Sequence, residues 1–365
     1  EIPKRDWSSD VCSSDLDNGQ TWSASKLPTP FSTCYALEIA GTTVYAAMSE
    51  KAALYSTINI TDSILNDAKS VLLRSTDKGN SWTIAQEFES TVYSLCSNPQ
   101  NSNIMYAGLV HSSKGGILVN DNVHGNGVWK NLANPPRTEG HPYSILALKD
   151  GTLISTFTAR KSETTLTQSS GVFSSIDGGL TWKDHSNDAM KLWTTSISID
   201  PHDPYRNTWY ACTWSNPLQS TDNSGGVYKT IDRGNTWTRL LSLPQSDGYS
   251  GNVNACMVNP VQSSLLYVAT ATHGLYASQN AQSANPLFSE LATLFPARAS
   301  RVFSVHPVSQ WEMYIGTDGN GVKRNQLYKI IEGDYSCCKD CDRPMTFVSR
   351  QVPVKYCYLF KDYNH

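Results

Sequence analysis

Short apolar segments alternate with turn residues along most of this chain, and they recur in a fixed order. An apolar segment that ends in Asn-Pro, Asp-Pro or His-Pro is followed by a segment centred on tyrosine, and then by a segment that begins with glycine. This order occurs at 92–119, 196–230, 253–278 and 302–324. Short segments bounded by turns are typical of β-strands. The pattern therefore predicts three consecutive strands, A, B and C, of a repeated sheet.

A second repeat follows strand C, namely the eight-residue signature Ser/Thr-x-Asp-x-Gly-x-Ser/Thr-Trp. Three copies are complete, at 75–82, 175–182 and 230–237, and the copy at 15–22 lacks only a proper first residue. Aspartate can accept hydrogen bonds from backbone N–H groups along the loop, and glycine can adopt positive φ. Tryptophan can then start a return strand, D, with its ring buried between sheets.

The signature thus predicts a C–D hairpin in which these residues have a structural role. They are Asp17, Gly19, Trp22, Asp77, Gly79, Trp82, Asp177, Gly179, Trp182, Asp232, Gly234 and Trp237. By its residue types the signature resembles the Asp box, or BNR repeat, of sialidases, of the sortilin family and of the xyloglucanase type of glycoside hydrolase. The resemblance implies an all-β propeller of four-stranded antiparallel blades, with the boxes remote from any active site.

The spacing of the signature predicts the number of blades. From Asp17 to Asp77 is 60 residues, from Asp77 to Asp177 is 100, and from Asp177 to Asp232 is 55. The middle interval therefore holds two units, with an eroded copy at 116–129. A period of about 50 to 60 residues is typical of a propeller repeat.

Five complete or nearly complete blades follow from this period, with parts of two more at 17–31 and 297–330. The five cover 32–90, 91–137, 138–190, 191–245 and 246–296. We predict seven blades, with six as the alternative, in a single domain that spans 17–330 and is truncated at one or both ends.

Both ends of the chain depart from the blade pattern. Residues 6–16 fit no strand period and resemble the in-frame translation of a sequencing-adapter oligonucleotide, with a Ser/Asp-rich linker as the alternative. We therefore expect 1–16 to be non-native. The tail at 331–365 is rich in cysteine, and we expect it to be disordered or out of frame. A zinc or disulfide site in the tail is the alternative. It would use Cys337, Cys338, Cys341 and Cys357.

Composition limits the classes of partner. The chain has 29 basic and 32 acidic residues, a formal net charge of −3, and no basic run, so nucleic-acid binding is not expected. The sequence contains no stretch of about 18 apolar residues, so it predicts no membrane span. Sparse charge and many Ser, Thr, Asn, Trp and Tyr residues suit an exported β protein. We predict an extracellular or periplasmic monomer without a metal or cofactor.

Function is expected on the face opposite the signatures, because in a propeller the B–C and D–A connections share that face. Long loops on a rigid scaffold often carry binding residues, and three B–C connections are long, at 49–70, 159–170 and 215–224. The ligand-binding candidates are Trp193, Trp214, Tyr249, His141, Arg298 and Arg301, and the long B–C connections also carry Tyr55, Arg160 and Lys161 as candidates. The weaker catalytic candidates are Glu139, Glu163, Asp222 and Asp247.

The chemistry of these candidates leaves three classes of function open. Trp193, Trp214 and Tyr249 could stack on sugar rings, although each could equally pack between blades. A glycoside hydrolase needs two carboxylates about 5 to 10 Å apart, and sequence spacing places no pair across different blades. We therefore predict an exported propeller that binds a glycan or a protein. A fragment of a xyloglucanase-type hydrolase is the alternative, and a sialidase is a third class whose Arg-Ile-Pro segment is absent.

Overall fold

The structure is a computed structural model. It describes residues 13–14, 23–51, 54, 62–161, 165–216, 218–219, 221–243, 251–271, 273–291, 302–307, 312–317, 321–330 and 346–350. The chain forms two compact units, of which unit 1 comprises Glu1–Ser196 with Asn216–Thr221 and unit 2 comprises Ile197–Ser215 with Asp222–His365.

The described part of unit 1 contains three four-stranded sheets and a two-stranded pair formed by β1 (Ser13–Ser14) and β2 (Ser23–Ala24). Sheet I consists of β3 (Thr33–Ala40), β4 (Thr43–Ser49), β5 (Ser70–Ser75) and β6 (Thr83–Phe88). Sheet II consists of β7 (Thr91–Asn98), β8 (Asn101–Val110), β9 (Gly116–Asn120) and β10 (Lys130–Asn131). Sheet III consists of β11 (Pro142–Ala147), β12 (Leu153–Phe157), β13 (Gly171–Ser175) and β14 (Lys183–Asp184). A short helix, α1 (Asp62–Asn66), lies between β4 and β5, and a 3₁₀-helix (Asp188–Met190) follows β14.

Unit 2 repeats the same plan, and the boundary between the units falls within the first strand of sheet IV. Sheet IV consists of β15 (Thr194–Ile199), β16 (Trp209–Thr213), β17 (Gly226–Thr230) and β18 (Thr238–Leu241). Sheet V consists of β19 (Val253–Val258), β20 (Leu266–Thr270), β21 (Leu275–Ser278) and β22 (Phe288–Glu290). Sheet VI consists of β23 (Val302–Pro307), β24 (Glu312–Thr317), β25 (Gly321–Ile330) and β26 (Thr346–Arg350).

The predicted all-β fold of four-stranded antiparallel blades is confirmed. In each sheet the spatial order of the strands follows the chain order, and sheets I to V fall within the five blade ranges predicted from the sequence. The fourth strand of sheet VI, β26, comes from the cysteine-rich segment at 331–365. The count of seven blades stays a prediction.

Because each sheet is a simple antiparallel meander, its connections divide between two ends. The A–B and C–D turns meet at one end, which we call the signature end. In sheet IV, for example, Arg233 of the C–D turn donates from Nε to Asn207 Oδ1 of the A–B turn at 2.9 Å. The B–C connection lies at the other end, the loop end, together with the segment that leads to the next sheet.

The signature turns are closed by one repeated hydrogen-bond set. In the first complete copy, Asp77 accepts from the backbone N–H of Ser81 at 2.9 Å through Oδ1 and from its hydroxyl at 2.5 Å through Oδ2. Ser75 Oγ donates to Asp77 Oδ1 at 2.8 Å and accepts from the N–H of Gly79 at 2.8 Å. Gly79 has φ of 88°. The copies at 175–182 and 230–237 repeat these bonds.

These bonds set the acidity of the signature aspartates. The hydrogen bonds from Ser81, together with that from Ser75, lower the pKa of Asp77 to about 2, and those from Thr181 and Ser175 do the same for Asp177. Each carboxylate thus accepts its hydrogen bonds from its own turn. The copy at 15–22 lies outside the described residues.

We expect Asp177→Asn to destabilise the protein at neutral pH, because the amide nitrogen cannot accept the bonds that the second carboxylate oxygen accepts. The folded-state pKa lies below the ordinary value of 3.8, so the carboxylate stabilises the fold above that pH and the effect fades as pH falls towards 2. Urea unfolding at pH 7 and at pH 2.5 should therefore show a large gap between variant and wild type only at pH 7. An equal gap at both pH values would contradict this account.

The first strands of sheets I, II and III each contain a bulge at the same position, and the bulged residue is a tyrosine. The register shifts occur at Tyr35, Tyr93 and Tyr143. Their rings pack in a row, with centroid distances of 4.9 Å and 4.8 Å between neighbours. We call this set the tyrosine row. Packing of this kind fixes the three strands relative to one another, and with them the loops that leave their ends.

No helix among the described residues is long and apolar enough to cross a membrane.

Candidate functional site

The loop ends of sheets I, II and III are joined by backbone and hydroxyl contacts. Ser70 at the start of β5 donates from Oγ to the carbonyl of Ser90, which precedes sheet II, at 2.7 Å. The N–H of His111, after β8, donates to the carbonyl of Gly140, which precedes sheet III, at 3.1 Å. Ser170, before β13, donates from Oγ to Met190 at 2.8 Å. Each B–C connection therefore lies against the segment that leads to the next sheet.

Helix α1 extends this contact across sheets. Asn66 donates from Nδ2 to Ser112 Oγ at 2.8 Å, and the N–H of Ser112 donates back to Asn66 Oδ1 at 3.0 Å. Leu65 of this helix is buried. Helix α1 is thus held in place beside the B–C connection of sheet II.

A cluster of charged side chains forms where three of these connections meet. Arg160, after β12, makes a two-pronged contact with Asp62 at the start of α1. Its Nε donates to Asp62 Oδ1 at 2.9 Å and its Nη2 donates to Oδ2. Glu139, which precedes sheet III, lies on the other side, with Oε2 at 3.8 Å from Arg160 Nη1. We call Asp62, Glu139 and Arg160 the Arg160 cluster.

The Arg160 cluster is partly open to solvent. The side chains of Asp62, Glu139 and Arg160 are 33%, 36% and 40% exposed. The hydrogen bonds that Arg160 donates to Asp62 raise the pKa of Arg160 above its ordinary value, so the guanidinium is a permanent charge. Half-exposed ionic groups on three connections can meet a ligand while their neighbours hold them in position.

Two buried histidines lie beside this cluster and interact with it electrostatically. His111 is 8% exposed, and its Nδ1 accepts from the N–H groups of Ser113 and Lys114 at 3.0 Å each. His141 is 2% exposed. Burial lowers the pKa of both side chains, that of His141 to about 4. Both are therefore neutral at pH 7, and His141 has no surface with which to meet a ligand directly.

The structure brings together three of the residues singled out in the sequence, namely Glu139, His141 and Arg160. The two tryptophans lie elsewhere. Trp214 is 4% exposed, with Nε1 donating to Asn254 Oδ1 at 3.2 Å, and Trp193 is 1% exposed. Neither ring offers a face to solvent, so both behave as the packing aromatics that the sequence left as the other possibility.

The remaining candidates are either engaged within their own loops or not described. Asp222 accepts from the N–H and the hydroxyl of Ser224 at 3.0 Å and 2.8 Å, which closes the B–C connection of sheet IV. Lys161 pairs with Leu166 in an isolated bridge. The candidates outside the described residues are Tyr55, Glu163, Asp247, Tyr249, Arg298 and Arg301.

Sequence reasoning missed Asp62, His111 and the tyrosine row. Asp62 and Arg160 are 98 residues apart, and no local pattern connects them. The tyrosines carried a readable signal, because Tyr35, Tyr93 and Tyr143 occupy the same position when the A segments of the first three blades are aligned. Within the described part of the chain, no group of three His, Cys, Asp or Glu side chains is arranged to hold a metal ion.

Comparison with known proteins shows the fold. No protein-family model and no curated protein matches the sequence. An ancestral GH74 enzyme is similar in structure, with a TM-score of 0.58 at 16% identity over 88% of this chain and 42% of that one. The GH74 xyloglucanase from Xanthomonas campestris gives a TM-score of 0.58 at 13% identity over 84% of this chain and 47% of that one. YCF48 from Cyanidioschyzon merolae gives a TM-score of 0.53 at 12% identity over 82% of this chain and 83% of that one.

These similarities identify the architecture as that of a β-propeller. The chain spans less than half the length of the two GH74 enzymes.

Proposed function

We propose that this propeller binds a glycan at the loop end of sheets I to III, without hydrolysing it. The observation that carries the proposal is the meeting of Asp62, Glu139 and Arg160 from three separate connections in one partly exposed cluster. Carboxylate and guanidinium groups together accept and donate hydrogen bonds, as a sugar hydroxyl requires. No other set of charged groups from three connections meets at this end in the described part of unit 1.

The surroundings of the cluster support a preformed site. Helix α1 is tied to Ser112 by two hydrogen bonds, and the tyrosine row packs the first strands of the three sheets against one another. Binding costs less when the receptor side chains are already ordered. The ordered cluster therefore suits ligand binding better than loose side chains would.

Binding fits the ionic arrangement better than hydrolysis does. A glycosidase needs one carboxyl group that carries a proton to the leaving group. In the Arg160 cluster both carboxylates lie against one guanidinium, which is an arrangement of fixed charges. The hydrolase alternative would have to use the same two acids, Asp62 and Glu139, which contact different nitrogens of Arg160.

A screen of purified protein against xyloglucan, other β-glucans and sialosides tests the proposal. We expect saturable binding by calorimetry without release of reducing ends, and a loss of about tenfold in affinity in Arg160→Ala, since one charge-assisted hydrogen bond contributes roughly 1.5 kcal/mol or more. Arg233→Ala is the matched control, because Arg233 belongs to a signature turn of sheet IV.

Two outcomes would contradict the proposal. Release of sugar that is abolished by Glu139→Gln or Asp62→Asn would establish the hydrolase instead. Absence of binding to every glycan, with binding of a protein partner that depends on Arg160, would move the function to protein recognition. As part of the same proposal the protein acts outside the cytoplasm, which fractionation of cells that express the full gene would test.

A further inference from the structure

We propose that Arg160 Nη1 and Glu139 Oε2 form a subsite that binds one hydroxyl group of an uncharged sugar, and that Asp62 is the positioning residue for Arg160. This inference rests on the proposed glycan-binding function, and it names the class of sugar.

Asp62 determines which part of the guanidinium is available. Its two oxygens accept from Nε and Nη2 of Arg160, so the planar group is held along one edge. A two-pronged carboxylate contact fixes both the position and the plane of a guanidinium. The Nη1 group, on the edge that faces Glu139, is then the part of Arg160 that remains to donate.

Glu139 presents a matching acceptor at a distance that excludes a direct bond. Its Oε2 is buried and has no hydrogen-bond partner among the described residues, and it lies 3.8 Å from Arg160 Nη1. A hydrogen bond between N–H and oxygen has a length of about 2.7 to 3.2 Å. A buried carboxylate oxygen without a partner carries a free-energy cost. Since the Glu139 side chain as a whole is 36% exposed, a rotation of its carboxylate would bring this oxygen to a ligand group that donates to it, and the bond would remove that cost.

A hydroxyl group matches both sides of this gap. Its oxygen can accept from Arg160 Nη1 while its hydrogen is donated to Glu139 Oε2, and both bonds are charge-assisted. An ammonium group could donate to Glu139 but would face the positive guanidinium. A carboxylate could accept from Arg160 but would face Glu139. The hydroxyl is therefore the group that meets neither repulsion.

The charge around the gap selects further against acidic sugars. Asp62 and Glu139 carry two negative charges against the single positive charge of Arg160, and His111 and His141 beside them are buried and neutral. Lys114 acts electrostatically on His111. A uronate or a sialoside would bring another negative charge next to this excess. The subsite is thus expected to favour neutral sugars.

The specificity test uses neutral tetrasaccharides of glucose, galactose and mannose, each paired with the same compound oxidised to a carboxylate at C6. We expect the wild type to bind a neutral member at least tenfold more tightly than its oxidised partner. Glu139→Gln should weaken neutral binding about tenfold and reduce this preference to less than threefold. Glu89→Gln is the matched control, because Glu89 pairs with Lys69 at 3.3 Å at the loop end of sheet I, and it should change neither quantity.

A double-mutant cycle tests the positioning role of Asp62. We expect Asp62→Asn to weaken neutral binding about tenfold in the wild type but less than twofold when Arg160 is already alanine, because its effect passes through Arg160. A general structural effect of Asp62→Asn would weaken binding equally in both backgrounds. Melting temperatures of all variants establish that the proteins compared are folded.

The outcomes separate the two proposals. If no saccharide of the panel or of the preceding screen binds, the glycan function is wrong and the subsite falls with it. If a saccharide binds through Arg160, but Glu139→Gln behaves as Glu89→Gln does and the oxidised partner binds equally well, the subsite is wrong while the glycan function stands. Additive effects in the cycle would overturn the role of Asp62.

Discussion

Replacing Trp82 with alanine is expected to lower the free energy of unfolding by about 3 to 5 kcal/mol, the usual range for deletion of a buried tryptophan ring. Trp82 is 8% exposed, and its Nε1 donates to the carbonyl of Gly79 at 3.0 Å. The ring packs in a cluster with Ala46, Met48 and Leu73 of sheet I. The substitution would leave a cavity in this cluster and would remove the bond that ties the return strand to the turn.

Urea unfolding followed by circular dichroism measures this effect, and Trp182 supplies the internal comparison. Trp182 holds the same position in its own signature, but it is only half-buried, and its Nε1 has no hydrogen-bond partner among the described residues. We therefore expect Trp182→Ala to cost less than Trp82→Ala. Equal losses, or a loss below about 1 kcal/mol for Trp82→Ala, would show that the ring is not the element that secures the hairpin.

The second large effect is a dependence of stability on pH that originates at His141. Burial is the main reason that the pKa of this side chain falls from 6.5 to about 4, with Arg160 and His111 lowering it further and a hydrogen bond to the backbone of Ala159 and the charge of Asp62 acting in the opposite sense. A histidine with a lowered folded-state pKa binds fewer protons when folded than when unfolded. Stability is therefore full above pH 6.5 and declines as pH falls towards 4.

The size of this loss follows from the shift. A change of one pKa unit corresponds to about 1.4 kcal/mol, so the decline between pH 6.5 and pH 4 should approach about 3 kcal/mol. His141→Gln cannot take up the proton, and its unfolding free energy should fall less over this range. Chemical denaturation at half-unit intervals of pH measures both slopes. Parallel slopes for wild type and variant would mean that another group controls the acid sensitivity.

The hairpins were predictable because their chemistry is local. The aspartate, glycine and tryptophan of each signature act within eight residues, and the bond from the Ser81 backbone to Asp77 is the one expected from the sequence. Two details were not foreseen. The first-position hydroxyl of Ser75 bonds both Asp77 and Gly79, and Lys78 also adopts a left-handed conformation, with φ of 60°.

The candidate site was only partly predictable because it depends on contacts between distant segments. The sequence placed Glu139 and Arg160 on the loop face, since the order of strands determines which connections lie there. It gave no means of pairing Arg160 with Asp62, since that contact depends on how the connection of sheet I folds into α1. Burial was equally hidden. A tryptophan in a loop, such as Trp214, could stack on a sugar ring. In the structure Trp214 is buried, and its indole N–H donates to Asn254 Oδ1 in the interior.

The lengths of the outer strands bear on how this protein avoids self-association. The outermost strands of sheets II and III, β10 and β14, have two residues each, whereas β6 at the edge of sheet I has six. A long, exposed edge strand is a template for intermolecular pairing and aggregation, and very short edge strands remove that template. Among sheets I to III, sheet I therefore has the edge that most favours intermolecular pairing, and Glu87 near the end of β6 is the charge that opposes it.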